Sequence, residues 1–321
     1  MTVQRRVATL RVTVFTAWVI VPLLLVTLPQ SASDVRTIGE NAMALLSSTP
    51  TPLDRFTSAD RLLIVAPHPD DESLCCAGIA RRAVRDGAQV SVVWVTNGDG
   101  SAIDAWLLGK RPPTGKTFRQ LGTVRIAEAQ AAAASLGIQP EAQFFLGFPD
   151  SSLQRVLAQQ NSVPLRAPRT KVSYVPYTNA WLPNAPYSAT ELEENLRAVL
   201  RRTAPTLVLA PCEMDLHPDH AALGKLLPKL VHQVSEATLG CWIVHAARPW
   251  PQQATLSSAL PLFPPKTHPS LHWTFVPLSE AEREAKRGAL EHYTSQRRTM
   301  ERFMFSFVRA NELIALEAST P

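Results

Sequence analysis

Concentrated charge, cysteine and long apolar runs are all scarce in this chain of 321 residues. The four cysteines, Cys75, Cys76, Cys212 and Cys241, contain no Cys-x-x-Cys pair, which argues against a structural zinc knuckle. Cys75 and Cys76 fall in an apolar helix start and read as small core residues. A disulfide between Cys212 and Cys241 is left open at this level. The formal net charge is only +5, with arginines scattered rather than gathered in a stripe. No nucleic-acid-binding signature occurs, so a nucleic-acid partner is not expected. No internal repeat is found.

One uncharged run bears on a membrane: Val12 to Ser33, preceded by Arg5, Arg6 and Arg11. Its strongly apolar part, Val12 to Leu28, is at the lower limit of the roughly 17–25 residues that span a bilayer. Ser31, Ala32 and Ser33 offer a cleavage site, so residues 1–33 read as a signal anchor or a signal peptide, with the uncleaved anchor preferred. The basic flank puts the body of the protein outside the cytoplasm, membrane-anchored, or secreted or periplasmic if the segment is removed. Residues 34–60 read as a linker, with a short helix at Val35–Leu46.

From about Arg61 the pattern becomes that of an α/β domain, expected over 61–317. Leu62–Ala66 reads as a buried strand, Ser73–Arg85 as a helix closed by Gly87, and Gln89–Thr96 as the next strand. That is a βαβ unit and implies a mostly parallel sheet. Arg119–Leu136, Glu191–Arg202, Ala221–Val231 and Ser279–Tyr293 read as helices. Gln143–Leu146, Thr206–Ala210, Cys241–His245 and Trp273–Val276 read as strands. The chain is expected to end in an amphipathic helix, Arg297–Leu316, whose Phe303, Phe305, Phe307 and Val308 form a packing stripe. Two inserts rich in proline and aromatic residues interrupt the pattern, at about 151–187 and 248–272. The first is expected to be a packed loop or a lid over the site.

Two clusters carry the chemistry. Pro67-His68-Pro69-Asp70-Asp71-Glu72 follows the first strand, and His217-Pro218-Asp219-His220 follows Thr206–Ala210. Either alone would pass for a turn or a helix start. Together they place imidazoles and carboxylates at the carboxyl ends of two strands, where open α/β sheets bind ligands. His68, Asp71 and His220 make a His₂Asp set that leaves a position for water on Zn²⁺ or another divalent metal. Asp70 is placed to take a proton from that water, and His217 to stabilise an oxyanion or protonate a leaving group. Asp219 reads as a residue that orients a ligand histidine, and Glu72 as support for the helix start. His232, His245, His268, His272 and His292 read individually as surface or core residues.

With these motifs the chain resembles the PIG-L/LmbE-like family of zinc-dependent N-acetylglucosaminyl deacetylases. Thr96-Asn97-Gly98-Asp99, Arg125-Ile126-Ala127-Glu128, Leu146-Gly147-Phe148-Pro149-Asp150 and Tyr293-Thr294-Ser295-Gln296 add to the likeness, which covers roughly residues 60 to 315. The resemblance implies a Rossmann-like α/β fold with helices flanking the sheet. It also implies hydrolysis of an N-acetyl group from a glucosamine-type sugar, with release of acetate. His68, Asp71 and His220 match the family's metal ligands, Asp70 its base, and His217 the residue assisting the oxyanion and leaving amine. Pro67 and the two inserts depart from the pattern, and the inserts leave the substrate open. An amidase acting on a non-sugar N-acyl compound and a non-catalytic glycan-binding protein are the competing readings. Intact Asp70 and His217 weigh against the latter. The sequence leaves the oligomeric state open.

Overall fold

A computed structural model describes residues 51–159, 163–251, 256–266 and 271–317. The expected anchor and the helix at 35–46 lie outside the described residues. Strand β1 (Arg61–Ala66) organises the sheet, because Leu62-Leu63-Ile64-Val65 carries apolar side chains toward both faces and is buried throughout. It pairs in parallel with β2 (Gln89–Thr96) on one side and β4 (Leu207–Pro211) on the other. With β3 (Gln143–Phe148), β5 (Thr238–Trp242), β6 (Trp273–Pro277) and β7 (Asn311–Leu316), the order is β3-β2-β1-β4-β5-β7-β6. The first five strands run parallel, and β7 is antiparallel to both its neighbours. The strand order therefore reverses between β1 and β4, at the crevice where such sheets bind ligands.

Helices cover both faces. On one side α1 (Asp71–Arg85) and α3 (Gly115–Leu136) pack with α7 (Glu280–Glu291). On the other, α4 (Leu153–Leu157) and α5 (Ala189–Thr203) pack with α6 (Pro218–Val234). The short helix α2 (Ala102–Gly109) lies against α3 and against α8 (Thr294–Phe305).

The end of the chain differs from expectation. The helix expected to run to Leu316 stops at Phe305, and Asn311–Leu316 is an inner strand. Buried on both faces, β7 shows no alternation that would separate it from a helix. Its Glu312 accepts hydrogen bonds from Gly78 N and Ile79 N, at 2.9 Å each, and from Lys286 Nζ at 2.7 Å. Lys286 also donates to Leu74 O at 2.8 Å, so this buried pair ties α1 to the sheet and to α7. Cys75 and Cys76 are buried in α1, with their sulfurs joined to each other.

Candidate active site

The first cluster is built by a tight turn. His68 N donates to Asp71 Oδ2 at 2.9 Å, while Ser73 N and Leu74 N donate to Asp70 O at 2.9 and 2.8 Å. This puts Asp70 at the N-cap of α1 with φ of 115°, a region that side chains other than glycine rarely enter. Strain of this kind persists only where the surroundings enforce it. Glu72 is part of that enforcement: its carboxylate accepts from Trp94 Nε1 (2.8 Å), Ser73 Oγ (2.5 Å), Asp70 N (3.2 Å) and the Tyr293 hydroxyl. With four donors on its carboxylate, Glu72 is tied into the turn.

The second cluster hangs between β4 and α6. His217 is the N-cap and Pro218 the first helical residue, a position that needs no N–H donor. Gly224 lets the helix press onto the preceding loop, because a Cβ there would lie 2.3 Å from Glu213 N and 2.4 Å from the carbonyl carbon of Cys212. Cys212 is disulfide-bonded to Cys241 of β5, settling the pairing that the sequence left open. Asp215 ties the loop internally: Oδ1 accepts from His217 N at 2.8 Å, and Oδ2 from Val244 N and His245 N at 2.8 and 3.0 Å.

The two loops meet in a triangle. His68 Nδ1, Asp71 Oδ2 and His220 Nε2 lie 3.2 Å from one another along every edge. Tetrahedral zinc with bonds of about 2.0–2.1 Å separates its ligand atoms by about 3.3–3.4 Å. The donor set and its spacing therefore fit a tetrahedral ion with three protein ligands. The outward nitrogens are also engaged. His68 Nε2 is 3.2 Å from both Asp219 Oδ2 and Asp150 Oδ1, so two carboxylates hold the outward side of that ring. His220 Nδ1 has Asp215 Oδ2 at 3.2 Å, close enough for charge attraction but out of line for a hydrogen bond. Burial disfavours the charged His220, yet Asp71 and Asp215 override it and hold its pKa up at about 9.

Asp70 and His217 flank the triangle. Burial, followed by the neighbouring charge of Asp71, pushes the Asp70 carboxyl well above the ordinary range. His217 goes the other way: burial and then the nearby His68, His220 and His245 lower its pKa to about 3. Its Nδ1 accepts from Asp219 N at 3.2 Å, which leaves the proton of the neutral ring on Nε2.

Around these groups lies a cleft of about 250 Å³ whose walls include Arg125, Asp104, Asp150, His245, Gln296 and Phe303. Sequence reasoning assigned no role to Asp150, Asp215, Arg125 or Gln296. Asp215 stands in the second cluster's own loop, and the other three were quoted only as parts of motifs. His245 was set aside as a surface or core residue, yet its ring stands 4.9 Å from that of His220 and 5.2 Å from that of His217. Arg125 is buried, with NH2 2.6 Å from Asp104 Oδ2 and NH1 donating to Gly98 O at 2.5 Å. The 151–187 insert is a packed loop rather than a lid. Tyr177 and Tyr187 are buried beside β3, and among the described residues of the insert only Ser151 lines the cleft.

The model of the GlcNAc-PI de-N-acetylase family, PIG-L, matches residues 63–231. The chain is 44% identical over 83 residues to the 1D-myo-inositol 2-acetamido-2-deoxy-alpha-D-glucopyranoside deacetylase of Actinosynnema mirum, covering 26% of this chain and 29% of that protein. To the deacetylase of the same description from Corynebacterium urealyticum it is 31% identical over 182 residues, covering 55% of this chain and 49% of that protein. The match thus spans half or less of these relatives. Among solved structures, the deacetylase of the A40926 pseudoaglycone aligns with a TM-score of 0.53 at 18% identity, over 81% of this chain and 98% of its own. The N,N'-diacetylchitobiose deacetylase of Pyrococcus horikoshii aligns with a TM-score of 0.50 at 16% identity, over 88% of this chain and 95% of its own. At these identities the two structures speak for the fold.

Proposed function

The chain belongs to the GlcNAc-PI de-N-acetylase (PIG-L) family, and from that premise we propose that it removes the N-acetyl group of an N-acetylglucosamine-type sugar or glycoconjugate by metal-dependent hydrolysis. The observation that carries this reading is the triangle of His68, Asp71 and His220, with edges of 3.2 Å, beside the buried acid Asp70 and the neutral His217. In this proposal those three residues hold zinc or another divalent ion. When bound, the ion supplies a Lewis acid that polarises the acyl oxygen and lowers the pKa of water toward ~7.

The remaining steps fall to the chain's own side chains. Asp70 takes a proton from the attacking water, a role suited to a carboxylate whose pKa burial has raised. His217, neutral and with its proton on Nε2, donates to the oxygen that gains charge at the acyl carbon. As the C–N bond breaks, the leaving nitrogen needs one proton. The Asp70 carboxyl and the His217 N–H are the donors at hand. The products are acetate and a free amine. Asp219 and Asp150 keep the His68 ring fixed by flanking Nε2.

We assign residues 61–317 to the catalytic domain and place it outside the cytoplasm, on a membrane anchor formed by residues 1–33. The basic residues before the apolar run support that orientation, and the Cys212–Cys241 disulfide suits an oxidising compartment. Protease added to intact cells should cleave the domain, and full protection would reject the placement. For the chemistry, purified protein loaded with zinc should release acetate from N-acetylglucosamine conjugates. Asp70→Asn should lose about 10²–10⁴-fold in kcat while keeping its metal. Undiminished activity in that variant would reject the mechanism. Cleavage confined to non-sugar amides would reject the substrate class.

A further inference from the structure

We propose that α2 and the turn after it form a lipid-docking element that seats the rim of the catalytic cleft on an anionic membrane surface. The inference does not depend on the reaction assigned above. One face of α2 belongs to the cleft: Ser101 caps the helix, Asp104 is ion-paired with Arg125 at 2.6 Å, and all three residues line the cavity. The opposite face is bare. Ile103 is 64% exposed and Trp106, three residues on, 51%. Two large apolar side chains left exposed side by side at the edge of a cleft point to an interaction site.

The exposed charge on the segment that carries this face is of one sign. The chain runs on through Lys110, Arg111 and Lys116, all exposed, and between Ser101 and Phe118 the only acid is the buried, paired Asp104. Exposed Arg298, from α8, shares a crevice with Leu107 and Leu108, in which the one carboxylate besides Asp104, Glu128, accepts from Ser295 N and Oγ. Two further apolar side chains, Leu216 at 60% and Met214 at 36%, are exposed in the loop just before His217, which itself lines the cleft.

A tryptophan among aliphatic residues, flanked by cations, suits the boundary between acyl chains and anionic headgroups. A second copy of this chain is a poorer occupant, because a twofold contact would set Lys110, Arg111 and Lys116 near their own copies. A polar glycan could stack on Trp106 but offers nothing to Ile103 or to the cations beside it.

The test uses the full-length chain with vesicles whose acyl chains carry bromine, made of phosphatidylcholine alone or mixed with phosphatidylglycerol. Bromine quenches tryptophan only on contact. Trp18 is common to parent and Trp106→Phe, so the difference between them isolates Trp106. On anionic vesicles the parent should be quenched more than Trp106→Phe. Each cation near such a surface is worth about fivefold in partitioning. The Lys110→Glu/Arg111→Glu variant should therefore lose most of the Trp106 contribution, as should pure phosphatidylcholine. Equal quenching of parent and Trp106→Phe on both vesicle types would overturn the proposal. So would a self-associated species in sedimentation that buries Trp106 without lipid.

Discussion

The side-chain amide of Gln296 clamps Asp70 from 226 residues further along the chain: Nε2 donates to Asp70 Oδ2 at 2.7 Å and to Pro69 O at 2.6 Å. Both partners are acceptors, so the nitrogen must face them, and the amide orientation follows from the network. The clamp occupies one carboxylate oxygen, leaves the other for proton transfer, and holds a residue whose φ of 115° would otherwise relax. Gln296→Glu replaces the donor with a like charge. We expect kcat to fall about 100-fold, as misplacement of a reacting group by an ångström does, with little change in KM. Bound metal, measured by elemental analysis, should stay at the parental ratio, because none of the three ligands is touched.

Glu72 gives the opposite result. It is a carboxylate like its neighbours but accepts from Trp94, Ser73, Tyr293 and the Asp70 backbone. Glu72→Gln would point an amide N–H₂ at groups that are themselves donors, leaving at least one unsatisfied at a cost of about 1–3 kcal/mol. Urea unfolding should show that loss. Turnover per folded, metal-loaded molecule should fall far less than in Asp70→Asn. A fall as large in Glu72→Gln would make Glu72 part of the reaction.

The contrast between these residues marks what could be read from sequence. His68, Asp70 and Asp71 are contiguous and follow an unbroken apolar strand, and His217–His220 repeats that design. Local pattern sufficed to join them and to place them at a sheet's carboxyl edge. Gln296 and Asp150 act across the fold, where nothing in linear spacing pairs them with Asp70 or His68. Asp215 was closer at hand, but its task is set by the backbone of Val244 and His245 from beyond β5. The terminal strand failed for another reason. Phe303, Phe307, Ala310 and Ile314 recur at helical spacing, and burial on both sides removed the alternation of a strand. Polar Asn311 and Glu312 belong there only because Leu262 and Lys286 wait for them.

Asp99 should leave a signature in the pH dependence of stability. Burial raises its pKa to about 7, against hydrogen bonds from the Tyr177 hydroxyl at 2.5 Å and Asp150 N at 3.1 Å. The folded protein then holds a proton that the unfolded chain releases near the ordinary carboxylate value of 3.8. Its contribution is complete below pH 4 and is lost as pH rises to about 7, on the order of 2–4 kcal/mol. Asn at this position keeps the Asp150 bond and can donate to the Tyr177 oxygen. Asp99→Asn should lose less stability than the parent between pH 5 and pH 8 in urea unfolding. Parallel losses in the two proteins would show that Asp99 is ionised throughout.

The Cys212–Cys241 disulfide should couple folding to the site it adjoins. It closes a loop over a sequence separation of 29 that contains His217, His220 and Asp215. Chain-entropy arguments give a loop of that size about 3–4 kcal/mol of stabilisation. Cys212→Ser with Cys241→Ser should lower the urea midpoint by a corresponding amount. Cys212 also precedes Asp215 in the turn where Asp215 N donates to Cys212 O at 3.1 Å, so freeing it loosens the His217 and His220 loop but not the His68–Asp71 turn. Zinc affinity, measured by chelator competition, should therefore drop in the double variant by about 10–100-fold, as when groups that orient metal ligands are lost. His220 would be the ligand that gives way. A double variant with parental zinc affinity would show that α6 alone, pinned at Gly224, holds His220 in place.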